Sequence, residues 1–298
     1  MATLYTHQTK NVTKTWLLMG MFFVIVIGIG FFFSQYYGNP NILYFFVVFS
    51  VIMNIASYWY SDKIALKLNH ARQIKREENI ELWNIVENLS ITAGLPMPKL
   101  CIMDEVSPNA FATGRDKEHA VVCVTTGLLG LLNKAELEGV IAHELSHIGN
   151  RDILLSTVVV VLVGFISIVS DIFLRSMFFG HGRSSDDNKH GGAMILIGIA
   201  LSILAPIFAV LTQLAISRKR EFLADASGAL LTRYPEGLAS ALQKISNAGT
   251  KMKYANTATA HLFIANPFGN RGSFGKKVSG LFSTHPHTED RIKALIDR

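Results

Sequence analysis

Long apolar stretches alternate with polar stretches along this chain of 298 residues. Four of the apolar stretches contain no charged residue, and they lie at 16–34, 42–60, 153–170 and 193–217. Each approaches the ~20 residues that a helix needs to cross a hydrocarbon core about 30 Å thick. Buried helices of a soluble core seldom contain such long uncharged runs. The pattern therefore predicts four transmembrane helices, of which the last two form a hairpin.

Shorter patterns between the second and third apolar runs predict a compact folded unit. Apolar residues recur at helical spacing over 77–92, before a breaker cluster at 94–98, and again over 133–150. Asn133 and Glu136 have the spacing of a capping box at the start of the second helix. Short runs typical of strands lie at 100–103, 110–113 and 120–126. A small sheet that leads into a helix indicates an α+β unit.

The charge distribution predicts the orientation of the chain in a membrane. The net charge is +6, and the basic residues gather beside the apolar runs, at Lys10, Lys14, Lys63, Lys67, Arg72, Lys75, Arg76 and 218–220. The connector at 35–41 has no charge. Positively charged flanks normally stay in the cytoplasm, so we expect a multi-pass protein of the cell (inner) membrane with a cytoplasmic amino terminus. The positive charge then serves topology and anionic lipids, and nucleic acid is not an expected partner.

Four parts follow from these patterns. They are two transmembrane helices (1–60), a cytoplasmic segment with the small sheet and the 133–150 helix (61–152), a transmembrane hairpin (153–217) and a second cytoplasmic segment (218–298). Cys101 and Cys123 lie in strand-like runs of the cytoplasmic segment. We therefore expect them to be free, buried thiols rather than a disulfide.

A metal-binding motif lies on the predicted 133–150 helix. His143 and His147 are four residues apart, so both lie on one helical face and can bind one zinc ion. Glu144 lies beside that pair, where its carboxylate can take a proton from water. The spacing H-E-x-x-H on a well-defined helix is typical of zinc hydrolases.

The predicted hairpin returns the chain to the face on which these histidines lie. Glu221 follows it directly and is well placed as a third ligand. Asp225, one helical turn later, can hydrogen-bond a ligand histidine. Near the carboxyl end, His285 and Arg291 could donate hydrogen bonds to a developing oxyanion. Their residue types fit equally well a helix cap and a surface arginine.

Taken together, these motifs resemble the HtpX-type membrane zinc metalloproteases, relatives of the CAAX prenyl proteases and the Oma-type proteases. The resemblance extends along nearly the whole chain. It is carried by Pro-Asn-Ala-Phe-Ala at 108–112, His143-Glu144-x-x-His147, the hairpin, Glu221-x-x-x-Asp225, and Ser-Thr-His-Pro at 283–286 followed by Arg291.

The resemblance implies a role for each of these residues. His143, His147 and Glu221 would bind one zinc ion per chain, Glu144 would be the general base, and Asp225 would support a ligand. Asn109 and Ala110 would belong to an edge strand that holds the substrate, and His285 and Arg291 would steady the substrate or the transition state. The implied fold is mainly α-helical α+β, with four transmembrane helices and a cytoplasmic zincin-like domain. The implied activity is cleavage of misfolded or damaged membrane proteins, or of unfolded polypeptides.

Two alternatives differ in their sequence requirements. An intramembrane metalloprotease carries its motif inside a span, whereas here Glu136, Glu138, Arg151 and Asp152 flank the motif. A non-catalytic membrane scaffold or a transporter would retain the fold without the reaction. A transporter usually needs a charged residue within a span, and the four apolar runs have none. The sequence does not indicate an oligomeric state.

Overall fold

The computed structural model describes residues 4–179, 217–269 and 286–297. The helices in these residues are α1 (Leu4–Tyr37), α2 (Pro40–Trp59), α3 (Ser61–Leu68), α4 (Ile80–Ala93), α5 (Thr126–Leu131), α6 (Lys134–Gly149), α7 (Asp152–Phe179), α8 (Arg218–Thr232), α9 (Pro235–Ala248) and α10 (Thr288–Ile296). The strands are β1 (Arg72–Gln73), β2 (Lys99–Met103), β3 (Ala110–Thr113) and β4 (Val121–Thr125). Short 3-10 turns lie at Arg76–Glu78 and Ala260–Leu262. The described chain is mainly helical with one small sheet, as the sequence predicts.

The four strands form one sheet in the order β1-β2-β4-β3. β2 is parallel to β4, and β3 pairs antiparallel with the other side of β4. All five residues of β4 are buried, which suits a central strand rich in β-branched residues. β3 is therefore the edge strand nearest to α6. The three predicted strands are confirmed, whereas β1 has only two residues, both exposed, and gave no pattern to detect.

Helix α6 is specified at its start by local hydrogen bonds. The Asn133 side chain accepts from the backbone N–H of Glu136, and the Glu136 carboxylate accepts from the backbone N–H of Asn133. This capping box satisfies donors that the first turn would otherwise leave unpaired. Glu136 also binds Lys244 and Ser240 of α9. The predicted 133–150 helix is thus confirmed to within a residue.

Helices α6 and α8 pack closely against each other at His143. A Cβ built at Gly228 of α8 would lie 2.9 Å from the backbone nitrogen of His143, too close for a larger residue. Leu137, Val140 and Leu145 of α6 are buried in the main apolar core together with residues of α4, α9 and the sheet. Two helices that approach this closely bring the side chains at their contact within ligand distance of one another.

A sharp bend separates α6 from α7. The helix axes differ by 84°, and the break falls at Asn150 and Arg151, where Arg151 has a φ of 56°. This left-handed conformation is uncommon for a residue other than glycine. The bend turns Asp152, the first residue of α7, back toward α6.

The first two helices have the length and composition of membrane spans. Asn11–Tyr37 and Pro40–Trp59 are apolar enough to cross a bilayer, and the bent α6–α7 pair would count as a third only if it were one span. Leu18 and Phe22 of α1 pack in one buried cluster with Val158 and Leu162 of α7. Large apolar side chains on the other faces remain exposed, including Trp16, Leu17, Val24, Phe31, Tyr44, Phe45, Val48, Ile52 and Ile55.

Three of the four apolar runs that predict transmembrane spans lie within helices of the structure. The runs at 16–34 and 42–60 lie within α1 and α2, and the run at 153–170 lies within α7. The fourth run, at 193–217, lies outside the described residues except for its last position. Cys101 and Cys123 face each other on β2 and β4 as free, buried cysteines, as predicted.

Candidate metal centre

Three side chains from two helices converge beside the edge strand. Nε2 of His143 and Nε2 of His147 are 3.2 Å apart, on successive turns of α6. Glu221, from the first turn of α8, places one carboxylate oxygen 3.6 Å from Nε2 of His147 and the other 3.9 Å from Nε2 of His143. One ligand atom from each residue lies within 4.8 Å of the other two.

These separations suit a tetrahedral zinc ion. With zinc–nitrogen bonds of about 2.05 Å, two ligand atoms at a tetrahedral centre are about 3.4 Å apart. The observed distances of 3.2, 3.6 and 3.9 Å bracket that value. Two imidazoles and a carboxylate are also a donor set that catalytic zinc prefers. The structure therefore brings together the three residues that the sequence predicts as ligands.

Behind His143 lies a buried chain of polar contacts. Nδ1 of His143 is 2.9 Å from the carboxylate of Asp225, as the sequence predicts for that aspartate. A proton on Nδ1 leaves Nε2 directed at the metal position. Burial favours a high pKa for Asp225, but the charge of Arg291, with hydrogen bonds from Arg291 and His143, outweighs it and lowers the pKa to about 2. Burial lowers the pKa of His143, which favours the neutral imidazole that a metal requires.

Behind His147 lies a second carboxylate, which the sequence reasoning missed. Oδ2 of Asp152 is 3.1 Å from Nδ1 of His147. Burial opposes a charge on His147, but the hydrogen bond from His147 to Asp152 and the charges of Glu221, Asp152 and Glu144 outweigh it and raise its pKa to about 9. Asp152 follows His147 by only five residues, so the signal was a carboxylate just beyond the motif. Its position depends on the bend at Arg151, which no sequence pattern predicts.

Glu144 lies beside the three candidate ligands. Its side chain is 1% exposed, and burial, together with the charge of Glu221, raises its pKa to about 7. The positive charges of His147 and Arg291 and a hydrogen bond from the backbone N–H of Ala112 limit the rise. Glu144 thus bridges the metal cluster and the outer edge of β3.

Asn109 and Ala110 are engaged inside the protein. The Asn109 amide donates to the carbonyl of Ala265 and accepts from its N–H. The carbonyl of Ala110 accepts from the N–H of Ile264. Both residues are at most 1% exposed. At these positions the segment 264–265 already occupies the strand edge, so the prediction that Asn109 and Ala110 hold substrate stays a prediction that their contacts do not support.

Of the two predicted oxyanion donors, Arg291 has a different setting and His285 lies outside the described residues. Arg291 is 2% exposed and donates to Asp225 and to the carbonyl of Ile264. Its Nη1 is 3.9 Å from the Glu221 carboxylate. These contacts place the guanidinium behind the ligands rather than facing the cleft, because its three nitrogens are directed at protein groups. They favour a role in positioning Asp225 over donation to an oxyanion.

A cleft lies in front of the three candidate ligands. It is formed by α6, the start of α7, Arg220 and Glu221 of α8, Ala112 of β3 and the segment 261–264. Phe263 of that segment packs edge-on against Phe111 of β3, with ring centroids 5.1 Å apart. The metal cluster therefore lies at the base of a cleft with a strand on one side and a crossing segment above it.

The chain is similar to known proteins along nearly its whole length. Residues 76–298 match the family model described as Peptidase family M48. The chain is 50% identical to "Protease HtpX homolog" of Caldanaerobacter subterraneus subsp. tengcongensis, over 98% of this chain and 97% of the relative. It is 44% identical to the protein of the same name from Tropheryma whipplei, with the same coverage. The crystal structure of S. mikatae Ste24p is similar in fold, with a TM-score of 0.50 at 19% identity, covering 99% of this chain and 67% of that one.

Proposed function

Because the chain belongs to peptidase family M48 and is therefore a membrane metalloprotease, we propose that it is a zinc endopeptidase that cleaves misfolded or damaged membrane proteins at the cytoplasmic face of the cell membrane. The observation that carries the proposal is the convergence of His143, His147 and Glu221 with Glu144 beside them. Family M48 consists of zinc metalloproteases. One zinc ion per chain is the stoichiometry that this cluster of three ligands supports.

His143, His147 and Glu221 would hold the ion through two Nε2 atoms and a carboxylate oxygen. A zinc ion in such a site supplies Lewis acidity, which makes water acidic near neutral pH and polarises a carbonyl. Asp225 and Asp152 accept from the Nδ1 atoms of the two histidines and hold their rings in orientation. Three protein ligands leave room for the reacting groups.

Glu144 is the proposed general base. In the metal-free protein its pKa is about 7, close to neutral pH, where a carboxyl group can both accept and release a proton. The carboxylate takes a proton from the attacking water and passes it to the nitrogen of the departing amine. Its hydrogen bond from Ala112 holds it at the strand edge, next to the place where a substrate backbone would lie.

The edge of β3 supports an extended polypeptide as the substrate. Outward-facing backbone groups alternate along an edge strand, so Ala112 faces the same side as Ala110. Ala110 is bonded to Ile264, whereas Ala112 lines the cleft. We propose that an unfolded segment pairs with the carbonyl of Ala112, whose N–H is taken by Glu144, which gives main-chain recognition with little dependence on sequence.

The surroundings of the centre support action at the membrane surface. The first candidate span begins at Asn11, and α7 continues from the metal-binding helix into the cluster that packs on α1. Trp16 and Tyr58 stack with centroids 5.7 Å apart, in the aromatic composition typical of a membrane interface. Four spans and a cytoplasmic centre remain our proposal, supported by the basic residues beside the spans.

Two matched measurements on Glu144→Gln test the proposal. The purified full-length protein should contain zinc and degrade casein. Glu144→Gln should contain as much zinc and degrade casein at least ~10²-fold more slowly, because it keeps the ligands and removes the base. A parent protein that binds zinc but degrades no unfolded substrate would support a non-catalytic scaffold instead. An active Glu144→Gln variant would assign the base to another residue.

A further inference from the structure

We propose that Asn11, on the first membrane helix, is a positioning residue of the metal centre that acts through Asp152 and His147. This inference rests on the proposed function, because it concerns the same zinc ligands. Asn11 precedes His147 by more than a hundred residues and belongs to no motif. It makes α1 a part of the centre in addition to an anchor.

The contacts form a continuous chain. Nδ2 of Asn11 donates to Oδ1 of Asp152 at 2.6 Å and to the carbonyl of Asn150 at 3.2 Å. The other oxygen of Asp152, Oδ2, is 3.1 Å from Nδ1 of His147. One amide nitrogen thus uses both of its hydrogens on the turn that joins α6 to α7.

The two contacts constrain different parts of that turn. The bond to Asn150 holds the backbone at the bend, where Arg151 is left-handed. The bond to Asp152 fixes the rotation of the carboxylate, which determines whether Oδ2 meets the imidazole of His147. An apolar side chain at position 11 could do neither, and an aspartate there would repel Asp152.

The contact between Asn11 and Asp152 is buried, which raises the free-energy cost of losing it. Asn11 is 6% exposed and Asp152 is 3% exposed, so water cannot easily replace the amide. Among the described residues, the cation that approaches Oδ1 is Arg220, whose Nε lies 3.7 Å away, beyond hydrogen-bond distance. Loss of Asn11 therefore leaves a buried carboxylate oxygen without its short contact, and a polar group in that state is costly.

The effect should reach the metal through His147. Partners of ligand histidines typically change metal affinity 10–100-fold when removed. Asn11 lies one contact further from the ion than Asp152, so we expect Asn11→Ala to raise the zinc Kd about tenfold, the lower end of that range. Asn11→Asp, of nearly equal volume, should raise it further because it places a second carboxylate against the first.

The test measures zinc binding by the full-length protein in detergent, by competition with a chelator, and the visible spectrum of the Co²⁺-loaded protein. Asn11→Ala and Asn11→Asp should weaken zinc binding and alter the Co²⁺ spectrum. Thr13→Ala is the matched control, because Thr13 is exposed on the same helix and donates only to the carbonyl of Thr9. It should equal the parent in both measurements.

A double-mutant cycle with Asp152→Asn tests the route. If Asn11 acts through Asp152, Asn11→Ala should change the zinc Kd less than twofold in the Asp152→Asn background, far from additivity. Full additivity would overturn the proposal, and so would parental zinc affinity in both Asn11 variants. The isosteric Asn11→Asp decides the matter if Asn11→Ala loses stability. A parent protein without zinc affinity would instead contradict the proposed function.

Discussion

The guanidinium of Arg291 donates two hydrogen bonds to the carboxylate of Asp225, at 2.8 Å from Nε and 2.6 Å from Nη2. Both side chains are buried, and Asp225 in turn contacts Nδ1 of His143 at 2.9 Å. The pair joins α10 and α8 to the metal-binding face of α6. A bidentate pair in this setting fixes the position of a ligand histidine from behind.

Replacement of Arg291 by alanine should therefore affect stability and metal binding before it affects the chemical step. Removal of one partner of a buried ion pair leaves an uncompensated charge and typically costs about 3–5 kcal/mol. We expect a clear loss of thermal stability and of zinc content. Lys293→Ala, on the same helix but exposed, should change neither. A ~10²–10³-fold loss of kcat with parental stability and zinc content would instead restore a direct role at the oxyanion.

Replacement of Glu221 by alanine should abolish stable zinc binding, because two histidines alone hold the ion weakly. Glu138 offers a matched control: it lies on α6, is partly exposed and has only a loose ion pair with Lys134 at 4.0 Å. Glu138→Ala should retain full zinc occupancy in elemental analysis of the purified protein. Full occupancy in Glu221→Ala would mean that another residue supplies the third ligand.

Zinc affinity should rise with pH in the neutral range. In the metal-free protein the pKa of His147 is raised from 6.5 to about 9, so zinc must displace a proton below that value. The apparent affinity should increase up to tenfold per pH unit between pH 7 and 8.5, measured against a chelator with a known pH dependence. Asp152→Asn removes the strongest cause of the raised pKa and should flatten this dependence.

The same shift has a consequence for the metal-free fold. A histidine whose folded pKa exceeds its unfolded value contributes stability that is complete below pH 6.5 and is lost as the pH rises toward 9. The raised pKa of Glu144, about 7 against 4.5, acts in the same direction at lower pH. Thermal melts of metal-free protein should therefore show a falling Tm from pH 7 to 9. A rising Tm over this range would contradict the assigned shift of His147.

Membrane orientation can be tested with single cysteines. A cysteine at Gln35, on the exposed end of α1, should react with an impermeant thiol reagent in intact cells, whereas one at Lys75 should react only after permeabilisation. The native Cys101 and Cys123 are at most 1% exposed and should give little background. The reverse pattern would place the metal centre outside the cytoplasm.

The sequence predicts those parts of the fold that local chemistry specifies. The capping box at Asn133 and the spacing of His143 and His147 determine α6 and its ligands without reference to the rest of the chain. The prediction of Glu221 as a ligand needed one non-local expectation, that a hairpin returns the chain to the face on which the histidines lie. The convergence of these three residues agrees with that expectation.

The remaining parts depend on contacts that no local pattern records. Asp152 supports His147 because Arg151 adopts a left-handed conformation that its residue type does not favour. Asn11 reaches the centre through helix packing, and a lone asparagine before an apolar run has no signature. The segment 264–265 lies along β3 through one backbone hydrogen bond, from Ile264 to Ala110, and two hydrogen bonds with the Asn109 side chain. Its turn-rich sequence shows no strand alternation.

The metal centre is assembled from parts that the ribosome delivers in sequence. The H-E-x-x-H helix emerges first, Glu221 follows about 70 residues later, and Arg291 follows after about as many again, so at 5–20 residues per second the parts are separated by several seconds each. A nascent chain that carries only the first two ligands has neither its third ligand nor the ion pair behind His143. We therefore expect the metal centre to be complete only after α10, which carries Arg291, has docked on α8.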